Sequence, residues 1–270
     1  MTNRIGFPRL EVMGAAVATV IGQAIATLVG FLLNMKDNPV LKPAFRMIRF
    51  RKRVAADIYR IAYPSILMQS IGSLTNFCMN QILLGFTEAA TAVYGVYFKL
   101  QSFIFMPVFG LNNAMVPIIS YNFGAGKMDR VKKTCRISII SAVVIMWIGA
   151  AIFLVVPDIL LGIFNPTPEM LSIGVRAMRI ISLHFLLAGF CIIAGSVCQA
   201  IGNPFHSLLI SVCRQVLVLL PVAWFFSLTG VLDNVWLAFP VAELVSFTLS
   251  LIFYRRTIKK AEALLGNASA

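Results

Sequence analysis

Charge is what this 270-residue chain has least of: Asp, Glu, Lys and Arg together make up 12% of it. A soluble domain of this size carries about twice that fraction. Acid is the scarcer sign, with 10 Asp and Glu against 23 Lys and Arg, and there are two histidines. The five cysteines, Cys78, Cys135, Cys191, Cys198 and Cys213, are odd in number and form no C-x-x-C pair. That excludes a disulfide framework and a Cys/His metal site. No Ser/His/Asp set stands in a setting for nucleophilic catalysis. Gly126-Lys127 looks like the end of a phosphate-binding loop, but that loop needs Gly, four residues, Gly-Lys and then Ser or Thr. Here Tyr121 and Met128 occupy the two outer positions and no strand precedes them. Neither an enzyme nor a nucleotide site is expected.

What the chain has in excess is apolar sequence: 59% of residues are hydrophobic and the mean hydropathy is +0.88. A spanning helix needs about 20 mainly apolar residues. Seven stretches qualify, at 12–34, 61–85, 92–121, 137–156, 171–200, 207–229 and 235–254. The first, although Arg4 and Arg9 precede it, has 22 uncharged residues from Val12 to Leu33. A signal-peptide core has about 7–15. Lipid cannot satisfy free backbone groups, so these spans are helices. The expected fold class is an all-α polytopic membrane protein with seven transmembrane helices.

The connections carry the charge. Segment 35–56 holds Lys36, Lys42, Arg46, Arg49, Arg51, Lys52 and Arg53 against Asp37 alone. Segment 122–136 holds Lys127, Arg130, Lys132, Lys133 and Arg136 against Asp129, and the tail holds Arg255, Arg256, Lys259 and Lys260 against Glu262. Between them, 86–91, 157–170 and 230–234 have acids and no Lys or Arg, and 201–206 has only His206. By the positive-inside rule the basic segments, and 201–206 with them, are cytoplasmic. Seven spans then put the N-terminus outside, against the mild contrary signal of Arg4 and Arg9. The net charge of +13 thus follows topology, not one face, and no nucleic-acid partner is expected. Residues 41–53 read as a topology-setting basic loop, or as an amphipathic helix along the inner surface. After Asn122, Gly124 and Gly126 suit a left-handed helix cap.

An ordered series of motifs follows from Pro64-Ser65: "GVYFKLQSFIFMPVFGLNNAMVPIISYNFGAGKMDRVKK", then "QAIGNPFHSLLISVCRQVLVLLP", then "VWLAFPVAE". This series resembles the C-terminal half of a MATE (multidrug and toxic compound extrusion) transporter, over essentially the whole chain. The resemblance implies a twelve-helix fold of two six-helix lobes around a V-shaped cavity. It implies export of lipophilic, often cationic small molecules in exchange for H+ or Na+ from an inner (plasma) membrane. On it, 1–34 is the last helix of an otherwise missing N-terminal lobe and 35–56 is the inter-lobe loop. Residues 57–256 are the six-helix C-terminal lobe, and 257–270 are a cytoplasmic tail. The family branch with acids in the seventh and tenth helices is not matched, since 61–85 and 171–200 contain no Asp or Glu. The chain looks closer to the branch whose coupling Asp lies in the first helix, which is outside this sequence. Expected partners are lipophilic cations, membrane lipid, and a second six-helix lobe or a second copy. Two rival readings are a non-transporting fragment of a split gene and a lipid-linked oligosaccharide flippase.

Polar residues inside the spans supply the candidate site. Ser65, Gln69, Ser73, Asn76 and Asn80 recur at spacings of four, four, three and four, on one face of a helix. They read as a cavity wall or as helix-to-helix hydrogen bonds. Asn112 and Asn113 lie between Pro107 and Pro117, which read as a hinge or as a static kink. Glu243, Arg214 and Lys99 are intramembrane charges, costly and therefore structural or coupling groups. His184 reads as a satisfied core histidine.

Overall fold

The computed structural model describes residues 11–37 and 51–268, and among them it is helical throughout with no strand. Arg4, Arg9 and most of the basic 35–56 segment lie outside the described residues. So does the side chain of Ser65, although its backbone is helical. The chain divides into two units, Met1–Ile58 and Tyr59–Ala270.

In the first unit, α1 (Glu11–Asp37) is a 27-residue helix. At 1.5 Å per residue it is roughly 40 Å long, enough to cross a bilayer. Its only charges are at its two ends.

The second unit is a bundle. It comprises α2 (Lys52–Leu84, shared at its start with the first unit), α3 (Glu88–Gly124), α4 (Met128–Val155), the short α5 (Pro157–Gly162), α6 (Pro168–Ser182) and α7 (Phe185–Ala200). There follow α8 (Pro204–Val212), a π-helical segment (Cys213–Leu219), α9 (Leu220–Ser227), the short α10 (Leu232–Trp236) and α11 (Ala238–Ala268). All seven expected spans fall on helix. Among the described residues five helices are long and apolar enough to cross a membrane, and α6 with α7, bent by 49° at their junction, makes a sixth if the pair is one span. Span 61–85, within the 33-residue α2 but for its last residue, is long enough but less apolar, because Gln, Ser, Thr and Asn recur along it.

Helix ends follow local chemistry. Thr87 and Thr167 cap α3 and α6, their hydroxyls accepting from the Ala90 and Met170 N–H groups at 3.0 and 3.2 Å. The expected glycine cap is present: Gly126 takes φ +73° and Lys127 N–H bonds the Asn122 carbonyl at 2.9 Å. The end of α7 repeats the device, with Gly202 at φ +92° and Asn203 N–H on the Cys198 carbonyl at 2.8 Å.

The core sits where α3, α4, α7 and α11 meet. Small residues let α4 and α7 approach closely. A Cβ added to Gly189 would lie 2.8 Å from the Ala142 backbone oxygen. One end of the core is an aromatic layer. Phe153, Phe185 and Phe105 stack edge to face at 5.2 and 5.4 Å, with Tyr97 and Phe239 6.1 Å apart beside them. His184 is at the α6–α7 bend, buried, its Nδ1 2.6 Å from the Ile181 carbonyl.

Three contacts fix which helix ends share a side. Ser120 donates to the Ala200 carbonyl at 3.0 Å, so the glycine turns after α3 and α7 are together. Lys132 at the start of α4 pairs with Glu262 near the end of α11. Arg176 of α6 meets Asp233 of α10 at 2.8 Å, joining α6 to the connection before α11. The nearly uncharged 201–206 turn therefore lies beside the basic 122–136 connection.

Three departures from the sequence reading concern regularity. Short helices α5 and α10 occupy parts of the expected loops 157–170 and 230–234. The expected single helix over 171–200 is broken at Leu183–His184. The helix over 207–229 contains a π segment, in which the Leu220 N–H reaches back five residues to the Gln215 carbonyl. Pro221 brings no N–H to the Leu217 carbonyl, which loosens the α register there.

Candidate functional site

A cavity of about 290 Å³ opens within the second unit, between α2, α3, α7, α8, the π segment and α11. Met68 and Phe109 give it apolar wall, and Gln69, Asn112, Gln199 and Ser207 give it polar wall. Its one formal charge is Arg214, which the π segment carries to the lining. π-Helical turns are frequent at functional sites because they re-aim side chains that a regular helix would hold elsewhere.

The polar wall is partly organised. Gln199 Nε2 donates to Ser207 Oγ at 2.7 Å, and that hydroxyl lies 3.7 Å from Met68 Sδ. Asn112 Oδ1 is buried and accepts no hydrogen bond. Arg214 Nη1 lies 3.4 Å from Glu243 Oε2. The two partners are unequal: the Arg214 side chain is 31% exposed and that of Glu243 is 3%. Glu243 Oε1 and the buried hydroxyl of Ser246, one turn further along α11, have no nitrogen or oxygen partner, and the Cys191 thiol of α7 lies against both. The carboxylate is therefore sealed behind the guanidinium. Breaking such a pair from the Arg side leaves an uncompensated buried charge, which costs about 3–5 kcal/mol.

The residues singled out from sequence are distributed as follows. Gln69, Asn112 and Arg214 line the cavity, and Glu243 is the ion-pair partner of Arg214. Ser73 is exposed, its hydroxyl 3.5 Å from the Gln69 carbonyl. Asn76 and Asn80, further along α2, bond each other, Asn80 Nδ2 donating to Asn76 Oδ1 at 3.1 Å and to its carbonyl at 2.9 Å. Asn113 is exposed and is not part of the lining. The helix α3 continues without a break through Pro107 and Pro117. Lys99 is exposed, its ammonium 5.8 Å from the centroid of the Phe164 ring and outside the lining.

Sequence reasoning missed Gln199, Ser207 and Ser211. A signal for them exists: Ser207, Ser211 and Arg214 are spaced by four and three, and Ser196 and Gln199 by three, each set on one helical face. Among the described residues no group of His, Cys, Asp or Glu is placed to hold a metal ion.

Comparison with known proteins places this geometry. The MatE family model matches residues 64–225. The chain is 27% identical over 262 residues to the multidrug export protein MepA of Staphylococcus saprophyticus, covering 95% of itself and 58% of that protein. It is 30% identical over 243 residues to the FAD transporter of Shewanella oneidensis, covering 88% and 53%. It spans a little over half the length of these relatives, which are named as an exporter and a transporter, not as enzymes. In fold it is similar to a multidrug resistance MATE family transporter of the MOP superfamily in an outward-facing conformation. There the TM-score is 0.82 at 19% identity, over 93% of this chain and 57% of the other. A MATE structure in a bent conformation gives the same TM-score over 94% and 57%.

Proposed function

Because this chain belongs to the MatE family, we propose that it forms one lobe of an ion-coupled exporter of amphiphilic small molecules. The observation that carries this reading is a half-polar cavity inside a bundle of membrane-spanning helices, walled by five α-helices and a π segment. Such a cavity is where a secondary transporter holds its solute while one repeat rocks against another. The second wall comes from another lobe, whether a second copy or a different six-helix segment. Basic connections and the tail face the cytoplasm of a plasma (inner) membrane. The driving ion is H+ or Na+, bound outside this chain, in the lobe that the resemblance pairs with it. The resemblance to MATE transporters implies lipophilic cations as solutes, while the FAD transporter among the relatives favours a wider range.

The test combines assembly and flux. The chain is expressed in bacterial membranes, purified in mild detergent, sized, and reconstituted in proteoliposomes with an imposed proton or sodium gradient. The expected result is an assembly of two lobes that moves a fluorescent amphiphile when either gradient is applied. A two-lobe assembly that moves no amphiphile under either gradient would refute the reading.

A further inference from the structure

We propose that Arg214 is an anion-recognition group, so that the cavity takes an amphiphile by an acidic part, a phosphate, sulfonate or carboxylate. The proposal rests on the reading that this cavity holds the transported solute. It reverses the cationic solute class that the family resemblance implies, and the reversal follows from where the two charges stand.

The pair is neutral in sum but not in presentation. Arg214 lines the cavity and Glu243 does not. A cation entering the cavity meets a guanidinium before it can reach the sealed carboxylate. An anion meets a donor group with most of its hydrogen-bonding capacity free. Guanidinium offers five N–H donors, and Glu243 engages one nitrogen at 3.4 Å, a long contact for a charged pair. Planar fork geometry suits a bidentate oxyanion.

The surroundings fit the same ligand. Ser207 and Ser211 lie on the Arg214 face of α8, and their hydroxyls can turn to donate. Gln69 and Gln199 bring amide groups from α2 and α7. Asn112 brings a further amide group from α3. Phe109, Ile192 and Ile210 supply apolar wall for the body of the solute. At about 290 Å³ the cavity holds a head group with part of a ring system, not a large drug.

Glu243 then acts as an internal competitor. Removing its charge frees the guanidinium and strengthens anion binding, whereas removing Arg214 abolishes it. A merely structural pair would weaken binding from both sides.

The experiment uses the full chain in nanodiscs of zwitterionic lipid at about 0.15 M salt, where diffuse surface charge is screened. The probes are 2-naphthyl phosphate and 2-naphthylmethylammonium, matched in ring and opposite in charge, titrated calorimetrically. The wild type is expected to bind the phosphate at least about tenfold more tightly than the amine, the scale of one charge-assisted hydrogen bond. Glu243→Gln is expected to tighten the phosphate, and Arg214→Lys to weaken it in part. Arg214→Gln leaves a buried carboxylate unpaired, so the double variant Arg214→Gln/Glu243→Gln, with a melting curve recorded, carries the decisive comparison. Loss of phosphate preference in a folded double variant supports the assignment. Tighter binding of the amine, or phosphate binding unchanged in the double variant, overturns it. Binding that follows the expected pattern in an assembly that moves no solute leaves the site standing and removes the transport reading. Gradient-driven flux of the amine, insensitive to both positions, does the reverse.

Discussion

Gly189 is the position at which a single methyl group should do most damage. In the structure a Cβ there lies 2.8 Å from the Ala142 carbonyl oxygen and 3.0 Å from its carbon. Ordinary contact begins near 3.4 Å, so α7 must retreat from α4 by about 0.6 Å. The obstacle is backbone, which cannot rotate away, and packed interiors do not deform continuously. Overpacking of this kind costs about 1–3 kcal/mol. For a chain of 150–250 residues, 1 kcal/mol shifts the melting temperature by about 2–4 °C. Gly189→Ala should therefore melt roughly 2–12 °C below the parent. Gly95, also inside a helix, has nothing within 4 Å of an added Cβ. Gly95→Ala should lose nothing, since alanine is the better helix former by about 1 kcal/mol. Both variants are measured by thermal unfolding in the same detergent. A Gly189→Ala protein melting within a degree of the parent, or a larger loss at Gly95, would refute the close α4–α7 packing on which the argument depends.

Arg214→Met should destabilise the chain by about 3–5 kcal/mol, because it strands a carboxylate that is 3% exposed. Glu243→Gln should cost about 1 kcal/mol, since Arg214 keeps a neutral acceptor and access to the cavity. Equal losses in unfolding experiments would contradict the asymmetry of the pair. Gly202→Val should cost at least about 1–2 kcal/mol, as φ +92° is strained for a β-branched residue; an unchanged melting temperature would show that the turn had been misread. With the native cysteines replaced, single cysteines at Asp129 and Glu169 should react with a membrane-impermeant thiol reagent from opposite faces of the bilayer. Labelling of both from one face would break the alternating topology.

The fold was legible where one physical signal dominates. Length and apolarity give the spans, because lipid admits little but helix. The charge steps at 122–136 and after Tyr254 give the alternation, and Gly126 announces the turn it makes. The breaks were not legible. Around Leu183–His184 and Cys213–Leu219 apolar residues run on through each break, so the hydrophobic pattern does not register a change in hydrogen-bond spacing. Pro221 was the one mark of the second break, and a proline also occurs in the unbroken α3, at Pro107 and Pro117. The cavity was half legible. A stripe on α2 and isolated charges could be listed from sequence, yet only Gln69 of the four described stripe residues reaches the lining. The rest of the polar wall comes from four other helices and the π segment. Which faces of separate helices converge is a property of packing that no single helix records.

The π segment has a consequence for how this sequence can vary. It spends one residue more than an α-helix would on the same hydrogen-bonded ring. Each residue turns a helix by about 100°. Deleting one residue between Cys213 and Leu219 would remove that extra residue and let the ring close as regular α-helix, with Trp224 and Phe225 still on the side of the bundle they hold. A substitution that drew the segment into regular α-helix at its full length would instead turn the helix that follows by about 100°. This stretch can therefore absorb a one-residue deletion that would misalign a regular helix such as α4.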